Sequence, residues 1–174
     1  MPPGCAVRAP EILPAGLKVL EGLKRELARY RQRPFLDALM AGCALVATAD
    51  GSVSLSERSR VDRIIESLGE LDIFDPHEAV NRFNDYAEVI AADAERGRHE
   101  ALDAIAEHAG DKDRARLLLR ACIAVSLADD NFRPEERARI AEICDTLELP
   151  ETALDEALAV YTRPGKVTRS PRRS

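Results

Sequence analysis

Two short acidic segments of this chain hold the side chains best suited to chemistry. "ADGSVSLSE" runs from residue 49 to 57, and "ADDNFRPEE" runs from residue 128 to 136. In each segment an aspartate, Asp50 or Asp129, is followed seven residues later by a glutamate, Glu57 or Glu136. The pattern has two interpretations, one structural and one based on cation binding.

On the structural interpretation the two segments mark the places where one helix ends and the next begins. Ser54 and Glu57 have the spacing of a helix capping box, and Glu136 is the third residue of a helix opened by Pro134. Aspartate side chains also accept hydrogen bonds from backbone N–H groups at the start of a following helix. The acidic residues would then need no ligand.

On the second interpretation the turns bind a cation. A carboxylate at a helix C-terminus faces the negative end of the helix dipole, which costs about 0.3–1 kcal/mol and calls for compensation. Carboxylate and hydroxyl oxygens suit Ca²⁺ or Mg²⁺. The spacing differs from that of an EF-hand, whose outer ligands are about eleven residues apart. The predicted metal ligands are Asp50, Glu57, Asp129 and Glu136, with Ser52, Ser54, Asp130, Asn131 and Glu135 as secondary candidates.

The elements around the two turns form an internal repeat. Residues 42–68 and 121–147 align without a gap at an offset of 79 residues and share nine identities in 27 positions. Each unit is predicted to be a buried helix (35–49 or 113–128), an acidic turn and an amphipathic helix (55–68 or 134–147). One such pair cannot cover its own apolar face, whereas two can. A cation site shared by the two acidic turns would further require that both turns lie at the same end of the bundle.

The rest of the chain adds further helices. A helix is predicted from "DPHE" at residues 75–78 to about residue 94, followed by a break at "ERGRHE" (95–100) and a helix ending at Gly110. Asp111 can cap the next helix, and the last one starts at Pro150. The fold class is therefore all-α, with seven to eight helices and duplicated pairs forming a central four-helix bundle.

The ends of the chain differ in character from its middle. Residues 1–14 are predicted to be disordered, residues 15–162 to form a single helical domain, and residues 163–174 to be a disordered basic tail. A basic amphipathic helix is expected from about residue 16 to 31. It packs on its own domain or lies on an anionic membrane surface, and the sequence leaves both open.

Composition and charge limit the range of possible folds and ligands. Aromatic residues make up 4% of the chain and Trp is absent, so the core is aliphatic, as in packed helices. The net charge of −6 divides into +4 for residues 1–33, +5 for residues 163–174 and −15 for residues 34–162. An acidic body of this kind repels phosphate backbones and attracts cations or basic partners, so nucleic acid is not an expected ligand.

The sequence also offers little for catalysis. The four cysteines have no C-x-x-C spacing and three of them fall on apolar helical faces, which indicates buried thiols in a reducing cytoplasm. The N-terminus lacks the pattern of a secretory signal. No nucleophile motif or Gly-rich phosphate loop accompanies the three histidines. We therefore expect a non-enzymatic cytoplasmic protein without catalytic residues or an organic cofactor.

Several segments resemble the tellurite-resistance protein family TerB, over about residues 17–155. The resemblance is carried by the basic N-terminal helix, by "LDIFDPHEAVNRFNDY" with Phe74, Asp75, Phe83 and Asn84, and by the paired acidic turns. It implies a duplicated helical fold, an acidic cluster suspected of binding metal, and no known enzymatic activity. In the family the second turn usually reads Asp-Gly, whereas this chain has Asp129-Asp130.

The same resemblance implies a role in tellurite and general chemical-stress resistance. The implied partners are a TerC-like membrane protein and TerD-like calcium-binding proteins, so that contact with the membrane is indirect. Two functions stay open on the sequence alone. One is a divalent-cation-binding regulatory module, and the other is an acidic protein–protein interaction scaffold whose carboxylates are purely structural.

Overall fold

The computed structural model of the chain describes residues 26–51, 53, 55, 58–59, 61–62, 65–66, 74–127 and 132–162. Across these ranges the regular structure is helical and no residue lies in a β-strand, which confirms the all-α class. Six helices have defined bounds there: α1 (Arg33–Ala47), α2 (Pro76–Ala92), α3 (Ala94–Ala106), α4 (Lys112–Ser126), α5 (Pro134–Thr146) and α6 (Glu151–Thr162). Residues 26–27 and all described positions from 55 to 66 are also helical. The count of six helices with defined bounds differs slightly from the seven to eight predicted.

Helix α1 lies at the centre of the domain. Every residue from Ala38 to Ala47 is buried, and α1 contacts α2, α3, α4 and α5. Pro34 in the first turn sets the start, because its missing N–H would have no partner inside the helix. The helix ends at Ala47, two residues earlier than predicted, where the Thr48 hydroxyl donates to the Ala44 carbonyl oxygen at 2.7 Å. The structure thus confirms the predicted buried helix.

Helices α1 and α4 have the same length and matching positions in the repeat. Their first residues, 33 and 112, and their last residues, 47 and 126, are each 79 positions apart, as are the aligned sequences. They pack closely, because a Cβ on Gly42 would lie 2.5 Å from the Cys122 Sγ atom. Cys43 and Cys122 are both buried, as predicted. Burial raises the pKa of Cys122 to about 12, so this thiol remains protonated and unreactive.

Three predicted helix starts are confirmed, two of them by capping contacts and one by the position of a proline. The Asp75 carboxylate accepts a hydrogen bond from the backbone N–H of His77 at 2.9 Å. Asp111 accepts one from the N–H of Arg114 at 3.1 Å. Pro134 is the first residue of α5. These caps are local in sequence, which is why the pattern alone located them.

The predicted break at residues 95–100 is wrong. The chain breaks at Asp93 alone, whose carboxylate accepts from the N–H of Arg96 at 3.1 Å and so caps α3. Gly97 lies inside that helix, where a Cβ would meet the Cα and N atoms of Ile90 at 2.5 Å. This glycine therefore permits a close approach of α3 to α2, and does not interrupt the helix.

The last residues before α1 pack on the domain. Leu27 is fully buried, and the Glu26 carboxylate accepts from Arg120 Nη1 of α4 at 3.0 Å. The Arg114 guanidinium stacks on the Tyr30 ring at 5.0 Å. The helix ends at Leu27 and turns, so its predicted extension to residue 31 is wrong. The predicted start of this helix lies outside the described residues, as do residues 1–14 and 163–174.

Deleting residues 1–33 is expected to lower the melting temperature by roughly 5 °C. The deletion removes the fully buried Leu27, and loss of a buried leucine costs about 2 kcal/mol or more. Thermal denaturation followed by circular dichroism measures the effect, with co-sedimentation on anionic vesicles as a second readout. An unchanged melting temperature together with lost vesicle binding would support the membrane alternative.

In the described part of the chain, no helix has both the length and the apolar composition to cross a bilayer.

Candidate functional site

The first acidic turn follows α1 directly. Gly51 has a positive φ of 95° and donates its N–H to the Thr48 carbonyl oxygen at 2.9 Å, so the chain reverses within four residues. A left-handed backbone of this kind favours glycine, which accounts for the residue after Asp50. The Asp50 side chain is about one-third exposed, at 35%. It lies just beyond the C-terminal end of α1, where a negative charge is unfavourable without a compensating cation.

The second site element is the start of α5. Arg133 occupies the N-cap position, and its side chain makes no capping hydrogen bond. Glu136 caps the helix instead, because its Oε2 atom accepts from the Arg133 backbone N–H at 2.9 Å. The Glu136 residue is only 4% exposed. A buried carboxylate needs such donors, and the positive end of the helix dipole adds further stabilisation.

Arg133 joins the two elements. Its Nη1 atom donates to Asp50 Oδ2 at 3.0 Å, across 83 residues of sequence. One residue therefore binds a carboxylate from each half of the repeat, Asp50 through its guanidinium and Glu136 through its backbone N–H. The contact places the turn after α1 beside the start of α5, at the same end of the helices. The positive guanidinium also offsets the unfavourable negative charge of Asp50 at the C-terminal end of α1.

The structure describes three of the predicted ligands. Asp50 and Glu136 bind Arg133 as above, whereas Glu135 is exposed at the second position of α5. The other predicted ligands lie outside the described residues: Glu57, Asp129, Ser52, Ser54, Asp130 and Asn131. Among the residues that the structure does describe, no group of three or more His, Cys, Asp or Glu side chains is arranged to hold a metal ion.

Sequence reasoning did not assign Arg133 to the site. The only local signal is its position, because an N-cap normally carries Ser, Thr, Asp or Asn. An arginine at this position cannot cap the helix, because a guanidinium has no acceptor atom for a backbone N–H. Its presence is therefore better explained by a contact with another part of the chain. The partner is far away in sequence, so no local pattern identifies it.

The "FD…FN" segment of α2 has structural roles. Phe74 and Phe83 are buried in the core, and Asp75 caps α2. Asn84 accepts a hydrogen bond from Arg58 Nη2 at 2.9 Å, which ties α2 to the helical residues that follow the first acidic turn. These contacts fix the amphipathic helix that follows the first acidic turn.

A second polar contact joins α2 to α1. The Tyr86 hydroxyl donates to Asp37 Oδ2 at 2.8 Å, and Arg82 Nε lies 3.6 Å from Asp37 Oδ1. Burial and the hydrogen bond to Asp37 raise the pKa of Tyr86, so the phenol remains a donor. This contact positions α2 against the otherwise apolar central helix.

The three histidines lie in α2, in α3 and in the turn just after α3. His77 is exposed in the first turn of α2, and the exposed His99 lies 3.7 Å from Asp103 within α3. His108 is buried, with Nε2 3.0 Å from the Pro34 carbonyl oxygen and its ring edge-on to Phe35. The His99 contact lies within one helix, and the His108 contacts belong to the packing at the start of α1.

Comparison with known proteins gives the family. The family model described as "Tellurite resistance protein TerB" matches residues 36–159. A curated relative, "Tellurium resistance protein TerB" from Alcaligenes sp., is 31% identical over 100 residues, which cover 58% of this chain and 82% of the relative. No solved structure matches the chain at a significant level. The matched region contains most of α1, both acidic segments and the start of α5, and the chain belongs to the TerB family of tellurite resistance proteins.

Proposed function

We propose that this protein acts in tellurite and chemical-stress resistance as a non-enzymatic regulatory module whose paired acidic turns bind one divalent cation. The observation that carries the proposal is the contact of Arg133 with Asp50 at 3.0 Å. It brings the first turn to the start of α5, and this supports a site shared between the two halves. A single turn would supply too few oxygens for tight binding.

The chemistry of the donors favours Ca²⁺ or Mg²⁺. Asp50, Glu57, Asp129 and Glu136 would supply carboxylate oxygens, which are the ligands that these hard cations prefer. Asp50 fits this role well, since its side chain is one-third exposed. Glu136 is buried and accepts the capping hydrogen bond from the Arg133 N–H. Its carboxylate has further lone pairs, and one of these would bind the cation. No organic cofactor is part of the proposal.

A second function is favoured by a different observation. Two of the three described candidate carboxylates, Asp50 and Glu136, already bind Arg133, and this is what purely structural carboxylates would do. Residues 34–162 carry a net charge of −15, which suits a scaffold that binds a basic partner. In this alternative the turns hold the helices in place and the acidic surface makes the functional contact.

Calorimetric titration with CaCl₂ and MgCl₂ separates the two functions. The wild-type chain is expected to bind one ion, and the double variant Asp50→Asn, Asp129→Asn is expected to lose this binding. The control Asp103→Asn, Asp155→Asn removes the same charge from two exposed side chains and should bind as wild type does. Absence of binding by the wild-type chain to either ion would contradict the cation function and favour the scaffold.

The proposed setting is the cytoplasm, beside a TerC-like membrane protein and TerD-like calcium-binding proteins. Family membership supports this setting, and the acidic body suits contact with a basic partner surface. In a strain whose tellurite resistance depends on this chain, the Asp50→Asn, Asp129→Asn variant should lower the tolerated tellurite concentration. The Asp103→Asn, Asp155→Asn control should retain it. Full resistance with the first variant would show that the turns do not carry the function.

A further inference from the structure

We infer that Arg133 is a built-in counter-ion that competes with the divalent cation for Asp50. This inference rests on the proposed function and deepens it, because it names a residue that regulates the site. In the absence of metal the guanidinium neutralises Asp50 and holds the two halves of the repeat together. A divalent cation then binds by displacing that guanidinium, so Arg133 sets how much cation is needed.

The position of Arg133 suits this contact. It occupies the N-cap of α5, and its side chain makes no capping hydrogen bond there. Glu136 holds its backbone N–H at 2.9 Å, which fixes the point from which the side chain extends. The guanidinium reaches across to the other half of the repeat and meets Asp50 Oδ2 at 3.0 Å. The backbone bond would persist after the guanidinium had left.

Holding both the Arg133 guanidinium and a divalent ion close to Asp50 would cost free energy. A divalent ion binds carboxylate oxygen at about 2.3–2.6 Å, which would put it beside a guanidinium already 3.0 Å from the same carboxylate. Like charges at such a separation repel, so one weakens the binding of the other, and the effect is reciprocal. Both side chains are 35% exposed, which lets the long arginine turn into solvent without moving the backbone.

The test uses the full chain with Arg133→Gln and a matched control, Arg137→Gln. Arg137 lies in α5, four residues after Arg133, and pairs with Asp155 of α6 at 3.2 Å, so the control removes an equal charge from another ion pair. Calorimetry with CaCl₂ and MgCl₂ measures the dissociation constant of each variant. Thermal denaturation in EDTA measures the stability without metal.

Arg133→Gln is expected to bind Ca²⁺ about threefold to tenfold more tightly than wild type, because no guanidinium has to be displaced. In EDTA its melting temperature should fall by about 1–3 °C. Arg137→Gln should bind Ca²⁺ as wild type does. If Arg133→Gln and wild type bind with equal affinity, the inference is overturned and the cation function stands. If neither the wild-type protein nor Arg133→Gln binds Ca²⁺ or Mg²⁺, the proposed cation function is wrong, and the proposed competition by Arg133 is wrong as well.

Discussion

Replacing Val46 by aspartate is expected to destabilise the protein severely and to lower its melting temperature by about 10 °C or more. The Val46 side chain is 1% exposed, in a helix that contacts four others. An aspartate there buries a charge among apolar side chains, at a cost of more than about 4 kcal/mol. Domains of this size are stable by only about 5–15 kcal/mol. Thermal denaturation followed by circular dichroism would report the loss of helix at a lower temperature than in the wild-type protein.

The control for this variant is Val160→Asp, which places the same charge on α6. Val160 is 67% exposed, so the change should shift the melting temperature by no more than about 2 °C. A Val46→Asp protein that melts cooperatively near the wild-type temperature would show that α1 is not the buried centre of the domain.

The second large effect is expected from Gly97→Ala. In an open helix this change stabilises by up to about 1 kcal/mol, because alanine is the better helix former. Here the new Cβ would lie 2.5 Å from the Cα and N atoms of Ile90, and backbone atoms cannot rotate away. We expect a loss of about 3 kcal/mol, at the upper end of the usual range for overpacking.

Gly110→Ala is the matched control, because nothing lies within 4 Å of a Cβ at that position. Urea denaturation of both variants gives the two free energies of unfolding. Gly110→Ala should lie within about 0.5 kcal/mol of wild type. A Gly97→Ala variant as stable as wild type would mean that α2 and α3 are farther apart than the structure places them.

Features governed by local chemistry could be predicted from the sequence. Asp75, Asp111 and Pro134 mark helix starts through contacts within a few residues, and the structure places helices there. The burial of α1 follows from a long run of apolar residues. The family resemblance was confirmed by the comparisons.

Features that depend on distant residues could not be predicted in this way. Gly97 looks like a helix breaker in the sequence, and only the nearby Ile90 backbone explains it. Arg133 looks like a poor helix cap until its partner Asp50, 83 residues away, is known. In both cases the residue type is set by a neighbour in space. The division of the chain into 1–14, 15–162 and 163–174 stays a prediction, as do the roles of Glu57 and Asp129.

A Ca²⁺ titration followed by two-dimensional ¹H–¹⁵N NMR tests the shared cation site most directly. The backbone amides of Gly51, after α1, and of Glu136, in the first turn of α5, are expected to shift together with one dissociation constant. The amide of Ile90, in the last turn of α2, should stay in place. Shifts confined to one of the two turns, or two separate dissociation constants, would contradict a cation shared between the halves of the repeat.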